Sequence, residues 1–439
     1  MTLLARICEW VGRLTNTIVM VPHPVVVGNC AEEILYGLIK ARRECKKLVL
    51  LHQYTLPKPL NYRLTNGDLI DVDSPYKALS RSDFWFIFGS AFVTLYAGFC
   101  RALRPFARRA GYPLGSDSFY PGVGYWTLWQ PAEVMSEFSW DVVRSYNWLR
   151  ELHTPIPVYL SIQKKAVAED ERARMALPMD AWFVCLHVRE GGWHGDSMSE
   201  RNASIENYVE AILEITSRGG WVVRMGDSSM TKLPAMERLI DYPFTSSKNY
   251  AMDLYLLSEC RLFIGMQSGI IEVARLFQRP MLLSNMASWI FPPPQLKGDI
   301  GVLKHIYSKS RQRFLSIREW LLEPFESNSF RELGEDYVLY ENEPEEIREA
   351  VAEYFEQDGS SEPSPVQREF NDLWRDRWRA IVGCPIRPQD GNMDMFNRYR
   401  IAARLVGSAG LISNSYLEKN WLFDEGIRQS PKLRRRPHV

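Results

Sequence analysis

Between residues 178 and 357, short apolar runs alternate with amphipathic segments at a spacing that suits a parallel sheet covered by helices. Phe183-Val184-Cys185-Leu186-His187-Val188 reads as a buried strand. From Ser204 to Arg218 the apolar residues Ile205, Tyr208, Val209, Ile212 and Ile215 follow a helical period, and Gly219-Gly220 closes the segment. Trp221 to Met225 predicts a second strand, Tyr250 to Glu259 a helix, and Leu262 to Ile264 a third strand. Gly269 to Phe277 predicts a further helix stopped by Pro280, with Met281 to Leu283 as a fourth strand. Tyr337 to Tyr340 and a helix after Pro344 continue the alternation. Strands joined by crossover helices must run parallel, so the expected domain is doubly wound and Rossmann-like.

A second unit of the same kind precedes it. Thr17 to Val21 and Lys47 to Leu51 read as strands around a helix from Ala31 to Arg43. Then comes an unusual stretch: Phe84 to Cys100 contains no charged residue, and Arg101, Arg104, Arg108 and Arg109 follow. Three readings of 84–109 stay open, namely a buried helix with a solvated basic turn, a membrane-docking element and a true span. On the docking reading, Phe84, Trp85, Phe86 and the four arginines share one interfacial surface, and the arginines meet anionic headgroups. Asp358-Gly359-Ser360-Ser361-Glu362-Pro363-Ser364-Pro365 has linker composition, and the Trp- and Arg-rich remainder predicts helices. The expected domains are therefore 1–177, 178–357 and a helical extension, 366–439.

Composition narrows the function. Lys plus Arg number 53 and Asp plus Glu 53, so the net charge of zero argues against a nucleic-acid binder. Apolar residues at 46% and charged residues at 24% argue for a globular chain. The seven cysteines are scattered, without a Cys-x-x-Cys pair, which fits a reducing compartment better than a disulfide framework. Arg6, Glu9 and Arg13 interrupt the apolar start, so a short amphipathic helix and a cytoplasmic location are expected rather than a signal peptide.

Neither a Gly-x-Gly-x-x-Gly fingerprint nor a P-loop is present, which argues against dinucleotide oxidoreductases and P-loop NTPases. Asp71-Val72-Asp73 matches a metal-diphosphate pair only at the level of a chance triplet. The informative residues sit at strand ends. In His187-Val188-Arg189-Glu190-Gly191-Gly192, alternation puts His187 and Arg189 on one face, where a guanidinium can fork a diphosphate. An ion-paired arginine beside a core histidine is the rival reading. After the second strand, Asp227 offers a carboxylate to a ribose, base or sugar hydroxyl, with Ser228 beside it; serines that merely cap the next turn are the rival reading. After the third, Gln267, Ser268 and Gly269 open a helix whose N-terminus favours phosphate, with Glu272 one turn on; a plain helix start with Ser268 as its cap is the rival reading.

Three segments taken together resemble the GDP-fucose fucosyltransferase superfamily: Cys185 to Gly192, Arg224 to Ser228, and Asp253 to Arg261 running through Ser268 to Pro280 and Trp289. Arg201-Asn202-Ala203 with Gly219 to Gly226 is more similar to a bacterial glycosyltransferase family of surface-polysaccharide and flagellar-glycan loci. The resemblance implies the GT-B architecture: two Rossmann-like domains facing a central cleft, an N-terminal acceptor side, and a C-terminal helical extension returning to the first domain. It also implies transfer of a sugar from a nucleotide-sugar, a GDP-sugar first, without metal or other cofactor. Arg189 would hold the donor diphosphate and Ser268 would lie beside the donor. The chain departs from the fucosyltransferases in carrying Glu190 where they often have a further arginine, and a single serine at 268.

The expected acceptor is a glycan or lipid-linked glycan, with peripheral contact to the inner membrane leaflet and no nucleic-acid partner. Glu190, His194 and Asp196 are the candidate bases for the acceptor hydroxyl, Glu190 ahead of Asp196. A retaining reaction, for instance with a CMP-sugar, would instead use Glu190, Asp196 or Asp227 as nucleophile. A non-catalytic GT-B-like glycan or nucleotide-binding scaffold, and a membrane-attached structural protein, are the alternatives from other classes.

Overall fold

In the computed structural model, the described residues are 3–22, 27–54, 67–79, 83–110, 154–191, 201–286, 296–323, 333–357, 362–383 and 410–422. They fall into two compact units. One holds the described residues up to Ala166 together with Glu272–Gln278; the other holds Val167–Ile271 and the described residues from Arg279 onward.

The first unit grows from one βαβ crossover. β1 (Thr17–Met20) and β2 (Lys47–Leu50) pair in parallel, Thr17 opposite Lys47 and Met20 opposite Leu50, and helix Val27–Arg43 connects them. β3 (Lys77–Ala78) adds in parallel on the far side of β2. The helix covers the sheet with Ile34, Leu35, Leu38 and Ile39, all buried, and its last turn carries Lys40, Arg42 and Arg43 against the negative end of the helix dipole. Asp71 pairs with Lys164 at 2.7 Å, and Asp73 forms an antiparallel backbone bridge with Tyr159.

The charge-free stretch and its arginines form a single helix, Phe84–Arg109. Its inner face is locked to this unit. Val93 joins a core cluster with Cys8, Val21, Val49 and Leu51, while Ser90 Oγ accepts from the His52 N–H (3.0 Å) and Thr94 Oγ1 from the Tyr54 N–H (2.8 Å). Phe86 is only 2% exposed, which removes it from the expected interfacial surface: helical geometry turns it inward while Phe84 and Trp85 face out. Arg109 is exposed. The helix is thus half buried, and among the described residues no helix is long and apolar enough to cross a membrane, which corrects the spanning reading.

The second unit carries a seven-stranded parallel sheet. β4 (Phe183–Leu186), β5 (Trp221–Arg224), β6 (Leu239–Asp241), β7 (Leu262–Gly265), β8 (Met281–Met286) and β9 (Ile300–Leu303) belong to it. β13 (Leu411–Ile412) adds to the edge, giving the order β13-β9-β8-β7-β4-β5-β6. The chain enters at β4, builds outward through β5 and β6, then returns to build β7, β8 and β9 on the other side. That reversal falls between β4 and β7. Helices cover both faces of such a sheet, which is why Val184, Val222, Phe263, Ile264 and Leu282 are all fully buried and the strands read as unbroken apolar runs.

Two expectations change here. Tyr337–Tyr340 (β12) does not extend the main sheet; it pairs antiparallel with β10 (His305–Ser308), which also pairs with β11 (Arg313–Phe314), in a small separate sheet. Its four residues are all half-buried, so their apolar texture serves one covered face rather than two. The C-terminal region is not purely helical. After helix Pro365–Gly383, β13 pairs in parallel with β9, and helix Asn414–Asn420 follows. Glu353 fastens that return by accepting from Ser413 Oγ (2.7 Å), Asn414 N (2.8 Å) and Ser415 N (3.1 Å).

Candidate functional site

The sheet order reverses between β4 and β7, and in an open parallel sheet the carboxyl ends of the strands at such a reversal are the usual ligand position. Three adjacent strand ends meet there: His187–Gly191 after β4, Met225–Ser229 after β5, and Met266–Gly269 after β7. The β4 and β7 extensions stay in register beyond the strands, since the His187 N–H donates to Ile264 O at 2.9 Å and the Arg189 N–H faces Met266 Sδ at 3.0 Å. A side chain at Gly265 would meet the Phe263 ring of the same strand at 2.5 Å, so glycine leaves that ring its place at the end of β7.

Ser268 Oγ lies 3.3 Å from His187 Nδ1. Burial, reinforced by the Arg224 and Arg189 guanidiniums, pulls the His187 imidazole down to about 4, so it is neutral at physiological pH. Ser268 is half-buried, Gly269 exposed and Gln267 buried. The helix they precede, Ile270–Leu276, starts one residue later than expected.

Arg189 stays beside the β7 end, but its side chain is largely covered rather than projecting freely. Its Nη1 donates to Asn202 Oδ1 at 2.5 Å, and its carbonyl accepts from the Ala203 N–H at 3.1 Å. Asn202 is held from behind by the buried Lys304, whose Nζ donates to Asn202 O at 2.7 Å. Asn202 and Lys304 were not among the sequence candidates. Asn202 had a signal in the Arg201-Asn202-Ala203 tripeptide; Lys304 had none, because a lone lysine after an apolar run reads as a strand terminus.

Arg224 is the other residue that sequence reasoning passed over. It is the last residue of β5 and wholly buried. Its Nη2 donates to Glu190 Oε1 (2.7 Å), and its Nη1 donates to Asp241 Oδ1 (3.1 Å) and Thr231 O (2.5 Å). Glu190 Oε2 accepts from both the N–H and the Oγ1 of Thr231 at 2.8 Å. Both oxygens of Glu190 are therefore occupied. These three bonds fix the carboxylate between the ends of β4 and β5.

Asp227 half-faces solvent and closes its own turn, accepting from the Ser229 N–H at 2.8 Å; Ser228 is exposed at the tip. Gly226 shapes that turn with φ +147°, and a Cβ there would run into Met230 Sδ. Glu272 does not join these residues. It belongs with the first unit, and both its oxygens accept from Arg275 Nη1 at 2.5 and 2.6 Å, an i,i+3 pair that fixes the carboxylate on its own helix. His194 and Asp196 lie outside the described residues.

The site thus gathers two guanidiniums and their partners at the end of a parallel sheet. Two guanidiniums lie near enough to depress His187, one committed to Glu190 and Asp241, the other held by Asn202. Fixed positive groups beside a neutral imidazole and a hydroxyl suit an anionic ligand that offers hydrogen-bond partners.

No protein-family model matches the sequence, and no curated relative matches it. Among solved structures the chain is similar to E. coli ADP-heptose LPS heptosyltransferase II, at 14% identity over 60% of this chain and 83% of that one, with a TM-score of 0.34. It is similar to a glycosyl transferase family 9 protein from Veillonella parvula at 10% identity, covering 60% and 79%, with a TM-score of 0.33. It is also similar to a UDP-GlcNAc 2-epimerase from Methanocaldococcus jannaschii at 14% identity, covering 64% of each chain, with a TM-score of 0.22.

Proposed function

We propose that this chain is a glycosyltransferase that moves a sugar from a nucleotide-sugar, a GDP-sugar first, to a glycan or lipid-linked glycan of bacterial surface polysaccharide. The observation that carries the reading is the meeting of His187, Arg189 and Ser268 at the topological reversal of the sheet. On this reading the unit is one half of a GT-B enzyme and the first unit receives the acceptor. Arg189, steadied by Asn202, neutralises the departing diphosphate in place of a divalent ion. Ser268, Gln267 and Gly269 line the donor, His187 contributes a neutral hydrogen-bonding ring, and Asp227 with Ser228 meets the nucleoside or sugar hydroxyls.

Glu190 takes a positioning role, because its two oxygens hold Arg224 and Thr231. The acceptor's proton passes to Asp196, the next carboxylate along the chain.

A melting series with GDP, UDP, CMP and dTDP tests the reading. A true ligand at a hundredfold excess over Kd stabilises by about 2.7 kcal/mol. One diphosphate should raise the wild-type melting temperature and fail to raise that of Arg189→Ala. No response to any of the four sinks the proposal. Asp196→Asn should keep the nucleotide response and lose sugar transfer.

A further inference from the structure

Helix Phe84–Arg109 has two faces with opposite uses. The inner one is committed to the first unit through Phe86, Ser90, Val93 and Thr94. On the outer one, Phe84, Phe88, Phe92, Leu95, Phe99 and Phe106 recur at the spacing of a single helical face. All six are exposed, from 42% at Phe92 to 69% at Phe84 and Leu95. Trp85 stands edge-on to Phe84 (5.4 Å) and Phe88 (6.3 Å), extending the aromatic surface around the start of the helix. Contiguous apolar surface of this extent on a folded unit marks a place where something docks.

Charge selects the occupant. From Phe84 to Arg109 there is no acidic residue, and the helix closes with Arg101, Arg104, Arg108 and Arg109. Aromatic and aliphatic side chains along one face, followed by arginines and no carboxylate, complement acyl chains beneath anionic headgroups. The inner face also decides the orientation. To enter the bilayer core, the helix would have to abandon the hydroxyls that receive the His52 and Tyr54 N–H groups and pull Val93 from its core cluster.

We propose that this helix lies flat in the interface of an anionic lipid bilayer, its Phe-rich face at the acyl boundary and its arginine-rich end among the phosphates. The proposal is independent of the sugar-transfer reading, because its test reads lipid binding and not turnover.

The test is flotation of the full chain with vesicles of phosphatidylcholine containing about 30 mol% phosphatidylglycerol, against phosphatidylcholine alone. Wild type should float with the anionic vesicles and less with the neutral ones. The variant Phe88→Ser/Phe92→Ser/Phe99→Ser should lose at least about tenfold in bound fraction, since each exposed ring contributes to partitioning. Its melting temperature should match wild type, because all three positions are exposed. Equal flotation of variant and wild type overturns the proposal, as does wild type binding neither vesicle. In the latter case light scattering identifies the true occupant: a dimer that the variant dissolves makes this face a contact between copies, and a monomer in both leaves it to another protein or segment.

Discussion

Arg224 reaches across from the end of β5 to Glu190 just past the end of β4, Nη2 to Oε1 at 2.7 Å, and ties two neighbouring strand ends together inside the protein. The same guanidinium holds Asp241 at the end of β6, so one cation gathers three adjacent strands. The first candidate base of the sequence, Glu190, is thereby part of a network that links strand ends. It also puts a fixed positive charge next to His187 without using Arg189.

Removing that cation should be costly. Arg224→Met leaves Glu190 and Asp241 without their shared partner, and breaking a buried pair by deleting one member costs roughly 3–5 kcal/mol. Glu190→Gln keeps an acceptor for the guanidinium and should cost less than Arg224→Met. Urea midpoints of the two variants measure the difference; equal midpoints for wild type and Arg224→Met would show that the network carries no stability.

His187 sets a pH window. Its folded pKa of about 4 lies below the ordinary imidazole value of 6.5, so below that value the unfolded chain binds the proton more readily. The stabilisation is complete above about pH 6.5 and is lost as pH falls towards 4, reaching roughly 3 kcal/mol. His187→Gln should flatten this part of the profile of unfolding free energy between pH 7.5 and 4.5. An unchanged slope in the variant would assign the acid sensitivity elsewhere.

The turn after β5 should not tolerate a side chain. Gly226→Ala meets both an unfavourable φ of +147° and Met230 Sδ, and strained backbone of this kind costs about 1–3 kcal/mol. Adding Met230→Ala should relieve the collision but not the φ, so the double variant should melt between Gly226→Ala and the Met230→Ala single variant. A Gly226→Ala melting temperature equal to wild type would contradict the positive φ.

Two phenylalanines on one helix should behave oppositely. Phe86→Ala empties a buried position and should cost about 3–5 kcal/mol, whereas Phe88→Ala, on the exposed face, should stay within about 0.5 kcal/mol. Comparing their unfolding midpoints checks the facing of the helix directly.

The parallel sheet was legible because strands buried on both faces must be apolar throughout, as Val184, Val222 and Ile264 are, and because each is followed by a helical period. The strand-end positions of His187, Arg189 and Ser268 followed from the same alternation. Periodicity reports which residues are apolar, however, and not which segments pair. Tyr337–Tyr340 has a strand's texture, yet its partner is His305–Ser308 in a separate sheet; Leu411–Ile412 was too short to announce itself as an edge strand.

What the amino-acid order determined by itself, then, was the α/β class, the crossover direction and the residues delivered to the strand ends, since all three depend on local period and chain connectivity. Tertiary structure alone decided the partners. Glu190 meets Arg224 and Arg224 meets Asp241 only because parallel strands place residues far apart in sequence side by side. Phe86 and Phe88 have the same chemistry and lie two positions apart, but only packing against β1 and β2 separates the buried face from the open one. Charge pairing and burial depend on distance in space, which a linear order of residues does not contain.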